Sequence, residues 1–139
     1  MESTMNRQQI INRQRKFKVW DKLAQRMIYP DKGYQQHYII DLYGRFHNLQ
    51  NGSGGDDYIV LEYTGLTDSK DKEICEGDIL IHKTDSIGQV LYEADDGGYI
   101  YQWKRIGPNQ HHTNLNCDVA FESVIVGNIF ENPELLKII

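Results

Sequence analysis

Gly88-Gln89-Val90-Leu91-Tyr92-Glu93-Ala94-Asp95-Asp96-Gly97-Gly98-Tyr99-Ile100-Tyr101-Gln102-Trp103-Lys104 holds two runs of β-branched and aromatic residues around an Asp-Gly pair. Asp96-Gly97 suits the two central positions of a type I′ turn, where both residues need positive φ. That turn sets a register with Ala94 opposite Tyr99, Tyr92 opposite Tyr101 and Val90 opposite Trp103. These residues share one face, and Leu91, Gln102, Glu93 and Ile100 share the other. One face is apolar and aromatic, as a sheet covering a core requires, and a one-residue slip would destroy the match.

Outward from this hairpin, further short extended runs lie between turn signals. Lys16 to Trp20 alternates, with Phe17 and Val19 on one side and Lys16, Lys18 and Trp20 on the other, which predicts a half-buried strand. Arg26 to Tyr29 returns from it and stops at Pro30, which has no N–H to give a ladder. His37 to Tyr43 closes at Gly44, and Arg45 to Leu49 pairs back. Asn51 to Asp57 is the strongest breaker cluster and reads as a mobile surface loop. Tyr58 to Tyr63 has few polar interruptions, which predicts a central strand. Ile74-Cys75, Ile79 to His82 and Val124 to Val126 complete the set, and Arg105 to Asn116 reads as a polar loop. Asn132-Pro133-Glu134 starts a short C-terminal helix, with Asn at the cap and Pro in the first position. Seven or eight strands and one helix give a mainly β fold. The turns come too often for crossover helices, so the architecture is a small barrel or a sandwich, with or without a separate N-terminal sheet.

The length of 139 residues fits one compact domain or two small lobes. The net charge of -5 is uneven. Residues 1–26 carry seven basic and two acidic residues, a net +5, and the rest carries eight basic and eighteen acidic, a net −10. A basic end on an acidic body is either a nucleic-acid arm or a segment that packs across the body or a neighbouring subunit. The acidic balance favours packing, because phosphate binding is dominated by basic contacts. The residues that would make such a contact, to partner or nucleic acid, are Arg7, Arg13, Arg15, Lys16 and Lys18. Two cysteines, Cys75 and Cys117, build no disulfide framework and suit a reducing cytoplasm. Met1 to Lys18 is polar and holds no apolar run of signal-peptide length, and no apolar run is long enough to span a membrane.

No motif that carries chemistry stands out. The histidines His37, His47, His82, His111 and His112 and the two cysteines lack the spacings of a structural zinc site. Asp68 to Glu73 resembles a calcium loop only superficially, since Lys70 stands where an oxygen ligand belongs, and reads as a solvated turn. Gly52-Ser53-Gly54-Gly55 runs into Asp56-Asp57, where a phosphate loop would have a cation. No catalytic residue, metal or cofactor is therefore expected, and a non-enzymatic role is favoured.

Three segments carry a resemblance. Lys16-Phe17-Lys18-Val19-Trp20-Asp21 resembles the opening of the YopX family of phage and prophage proteins. Glu62-Tyr63-Thr64-Gly65-Leu66-Thr67-Asp68 through Lys72-Glu73-Ile74-Cys75-Glu76-Gly77-Asp78-Ile79 is similar to its central segment. Val126-Gly127-Asn128-Ile129-Phe130-Glu131-Asn132-Pro133-Glu134-Leu135-Leu136 is similar to its closing one. The three stand in order across residues 16–136. Ser69-Lys70-Asp71 and Cys75 depart from the family's usual residues. The basic stretch before Lys16 is longer than the family's usual opening. The resemblance implies a mostly β fold with an SH3-like barrel in the C-terminal half. With the residue reading this divides the chain into a basic extension at 1–15, a β-rich lobe at 16–66, and an SH3-like barrel lobe with a C-terminal helix at 67–139. The resemblance also implies a bacterial or phage context and no established activity. The expected role is protein–protein contact in the bacterial cytoplasm, with a second copy or a host or phage protein as partner and no membrane. A nucleic-acid-binding module using the basic segment and a barrel face is the alternative.

Overall fold

A computed structural model describes residues 13–30, 37–104 and 110–137. Its strands in chain order are β1 (Phe17–Asp21), β2 (Arg26–Ile28), β3 (Tyr38–Ile40), β4 (Phe46–Asn48), β5 (Tyr58–Thr67), β6 (Glu73–Cys75), β7 (Asp78–His82), β8 (Ile87–Glu93), β9 (Gly98–Lys104), β10 (Gln110–Asn114) and β11 (Ser123–Asn128). One short α-helix, α1, spans Cys117–Phe121. The described residues form a four-stranded sheet in the order β2-β1-β5-β6, a five-stranded sheet in the order β10-β9-β8-β7-β11, and the β3-β4 hairpin. The pairing is antiparallel, and the sheets include a curled half-barrel, so the protein is mainly β.

The β8-β9 hairpin forms with its register displaced by two residues from the two-residue turn. Val90 faces Tyr101, Tyr92 faces Tyr99 and Gly88 faces Trp103. Ala94–Asp96 winds into a 3-10 turn and Gly97 alone takes positive φ, at 68°, so four residues rather than two make the connection. The Glu93 carboxylate accepts the Asp95 N–H and helps to hold this longer turn. A displacement by two keeps every side chain on its face. The apolar face therefore survives, but it is core only at one end. Val90 and Tyr101 are buried, Tyr99 and Trp103 half-buried, and Tyr92 is 56% exposed beside the turn.

The β1 strand differs more. It is buried on both sides, because the lysine-bearing face meets the body of the protein. Trp20 joins Leu61 and Cys75 in one core cluster and stacks on Phe130 at a centroid distance of 5.4 Å. A second cluster joins Ile74, Leu80, Val90, Tyr101, Leu115 and Ala120. Neighbouring residues of β6 thus enter different clusters, Ile74 the second and Cys75 the first, as strand alternation dictates.

Two further elements depart from the sequence reading. The polar stretch before Asn116 contains β10, an edge strand in which His111 stacks on Trp103. A strand of polar residues carries no apolar alternation to betray it. The Asn116 carboxamide caps α1 by accepting the Val119 N–H at 2.9 Å. At the C-terminal end, Pro133–Lys137 is a 3-10 helix rather than an α-helix. The side chain of Asn132 points back and accepts the Asn128 N–H, so its oxygen turns away from the helix that follows.

Candidate functional site

Lys18 of β1 turns inward, and Lys16, the residue just before β1, pairs at the surface. The ammonium of Lys18 sits 3.3 Å from Asp78 Oδ1, with both side chains 6% exposed. The rings of Tyr29 and Tyr63 lie 5.7 and 5.9 Å from it. Lys16 pairs with Glu73 at 2.6 Å and stands 4.7 Å over the Tyr63 ring. Arg13 and Arg15 are exposed, and Arg7 lies outside the described residues. The five basic candidates therefore do not form one surface patch, since Lys16 and Lys18 face acids of their own chain.

Around this pair is a polar junction between the two larger sheets. Asp78 Oδ2 accepts the Cys75 N–H at 2.8 Å, and the Cys75 thiol donates to the Glu62 carbonyl. Tyr99 donates to Glu62 Oε1 at 2.8 Å. Burial pushes the Cys75 thiol up to about 12, against the pull of Lys18, so it stays protonated at neutral pH. Burial also raises the carboxyls of Asp78 and Glu76 and the phenols of Tyr63 and Tyr99. Each of these shifts is led by loss of water, with neighbouring charges and hydrogen bonds acting second. Among the described residues no group of three or more His, Cys, Asp and Glu side chains is placed to hold a metal ion. No helix among them is long and apolar enough to cross a membrane.

The acidic stretch after β5 is solvated over residues 69–73, as its turn composition predicts, but its first acid is not. Asp68 is 1% exposed. Its Oδ1 accepts the N–H groups of Lys70 and Lys72, and its Oδ2 accepts that of Ile125 on β11, each at 2.9 Å. Burial opposes its ionisation, but these three donors prevail and hold its carboxyl below the usual range. Asn51 to Asp57 is tied at several points. Asn48 N–H donates to the Ser53 carbonyl, Ser53 and Tyr58 share a hydroxyl hydrogen bond, and Gly54 bridges His47.

The opposite face of β1 looks onto a groove. A cavity of about 360 Å³ is lined by Arg15, Phe17, Val19, Ile28, Tyr38, Ile40 and Phe46, among others. The β3-β4 hairpin forms one wall and continues into a turn over Asp41 to Arg45. Asp41 builds that turn: its Oδ1 accepts the N–H groups of Tyr43 and Arg45, its carbonyl accepts that of Gly44, and its Oδ2 pairs with His47 at 2.9 Å. Gly44 takes φ 80°. The result is a braced finger whose tip residues, Leu42 and Tyr43, are 105% and 91% exposed. Its base is anchored by Phe46, 3% exposed, whose ring lies 4.7 Å from that of Tyr58. The sequence reading ran Leu42 and Tyr43 into a strand. Asp at the first and Gly at the fourth position of a type I turn was the signal that they form a tip instead.

The fold and its polar junction define a β-sheet scaffold stabilised by internal ion pairs, with a projecting apolar finger. The family model described as YopX protein matches residues 16–137, and the chain belongs to the YopX family. Its backbone is similar to the crystal structure of protein EF1440 from Enterococcus faecalis. The TM-score is 0.56 and the identity 23%, over 88% of this chain and 97% of that one, which is a likeness of fold. No curated protein matches the chain.

Proposed function

We propose that this is a non-enzymatic protein of phage or prophage type that acts in the bacterial cytoplasm through protein–protein contact, with the Asp41–Arg45 finger as its contact element. The observation that carries the reading is a rigid turn that presents Leu42 and Tyr43 wholly to water. Large apolar side chains held rigid are what a contact anchor needs, since little conformational freedom is lost when they are buried. The nucleic-acid alternative is weakened because Lys16 and Lys18 meet Glu73 and Asp78 of their own chain. Phosphate contacts require free cations, and two of the five named are already engaged. The test places a photo-crosslinking benzoylphenylalanine at position 43 in cells, with the exposed Asp95 as control position. Protein adducts at 43 and none at 95 are expected. No adduct at 43 would sink the reading.

A further inference from the structure

We infer that Thr84 is an acyl-acceptor site: His82, oriented by Glu122, draws the proton from the Thr84 hydroxyl and lets its oxygen take an acyl group from an activated ester. The inference goes beyond the contact reading and is independent of it, since none of these residues belongs to the finger or its groove.

His82 ends β7, Thr84 lies in the turn that leads to β8, and Glu122 immediately precedes β11. The His82 ring stands between the other two, with Nδ1 2.9 Å from Thr84 Oγ1 and Nε2 3.3 Å from Glu122 Oε1. The backbone settles which ring nitrogen carries the proton. The Thr84 N–H donates to Nδ1 at 3.3 Å. An N–H can only donate, so Nδ1 is the bare nitrogen and the proton sits on Nε2, facing the carboxylate. The Thr84 hydroxyl then donates to Nδ1 in preference to Ser86 Oγ, which is farther away at 3.4 Å. Hydroxyl, base and orienting acid thus stand in the order that activates a nucleophile.

The turn does not need these side chains to hold its shape. Backbone bonds fix it, from the His82 N–H to the Ser86 carbonyl, from the Asp85 N–H to the His82 carbonyl, and from the Lys83 N–H to the Glu122 carbonyl. Thr84 is exposed, so an acyl donor can reach it, whereas the His82 side chain is only 15% exposed and largely shielded from water. Lys83 pairs with Glu122 Oε2 and leaves Oε1 to the ring. Asp85 and Glu122 outnumber Lys83 here, so an anionic polyphosphate is repelled and a neutral acyl donor is not.

In the transfer, Thr84 Oγ1 attacks the carbonyl carbon as its proton moves to His82 Nδ1. The Oγ1–C bond forms and the bond from that carbon to the leaving oxygen breaks. The leaving oxygen takes the electron pair and then the proton from Nδ1. Glu122 stabilises the imidazolium in between. Ser86 Oγ, hydrogen-bonded to the Tyr101 hydroxyl at 3.0 Å, is placed to donate to the carbonyl oxygen as it gains charge.

The test treats the full chain with p-nitrophenyl acetate, quenches with acid and locates acetyl esters by peptide mass spectrometry. The internal control is Ser69, an exposed hydroxyl with no histidine partner among the described residues. A positioned general base should make Thr84 react faster than Ser69 by on the order of a hundredfold. His82→Gln should remove most of that advantage, and Thr84→Ser should keep it. Thr84→Val should abolish the ester at 84 and leave acetylation of lysines unchanged. No ester at Thr84, one formed no faster than at Ser69, or one formed equally fast in His82→Gln would overturn the inference. The first two outcomes are read on the wild-type chain and need no variant to fold. None of them touches the cross-link at position 43, which tests the contact reading separately.

Discussion

Lys18 of β1 and Asp78 of β7 face one another across the junction of the two larger sheets, 3.3 Å apart, at positions sixty residues apart in sequence. Neither has water to fall back on, and Asp78 is also tied to the Cys75 N–H. Removing one member leaves the other as a buried lone charge. Lys18→Met and Asp78→Leu should each cost about 3–5 kcal/mol in urea unfolding. The double variant should recover only part of that loss, because an apolar pair removes both buried charges but leaves the Cys75 N–H without its acceptor. A double variant no better than the worse single would show that the polar pair itself is required.

Asp68 should govern the acid limb of stability. Its folded-state carboxyl is held below its ordinary value, so its contribution is present above the unfolded-state value near 3.8 and lost as pH falls through the folded one. Asp68→Ala strands three backbone N–H groups, one of them the Ile125 donor on β11, and should cost about 2–4 kcal/mol at neutral pH. The penalty relative to wild type should shrink in unfolding curves taken at progressively lower pH.

Glu76 should act with the opposite sign, in a higher window. Burial raises its carboxyl, so the folded state prefers the protonated form. The stability this gives is complete below the unfolded value near 4.5 and is lost as pH rises through the folded value. Glu76→Gln keeps an acceptor for the Glu62 N–H and removes the charge. It should melt higher than wild type at pH 7, with the gain fading as pH falls toward the unfolded value near 4.5. A variant equal to wild type at pH 7 would contradict the account.

Gly88 should tolerate no side chain. A Cβ there would stand 2.3 Å from the Gln102 carbonyl oxygen and 2.8 Å from the Tyr101 ring. Backbone cannot yield as a flexible side chain can, so Gly88→Ala should cost at least about 1–3 kcal/mol. Gly98→Ala, at the other end of the hairpin with nothing within 4 Å, serves as the control and should be near neutral in thermal melts.

How much of this was legible in the sequence follows from what each residue's environment encodes. The β8-β9 faces were readable because alternation survives a register shift of two, whereas the register itself depended on whether Gly97 alone or Asp96 and Gly97 together took positive φ. Charged residues misled most. Lys18 reads as solvent-facing until its partner sixty residues away is known, and Asp68 reads as a surface acid until Ile125 arrives to donate to it. Both assignments rest on pairings between distant segments, which no local pattern contains. The finger was the converse case: Asp41 and Gly44 fixed it locally, but the apolar Leu42 and Tyr43 looked like strand interior.

The brace at Asp41 divides labour within the turn. Asp41, Gly44 and His47 hold its shape, and Leu42 and Tyr43 hold nothing. The two tip residues can therefore be exchanged for others with little effect on folding, and with them whatever the tip fits. A scaffold arranged in this way can be retargeted by two codons while its interior stays fixed.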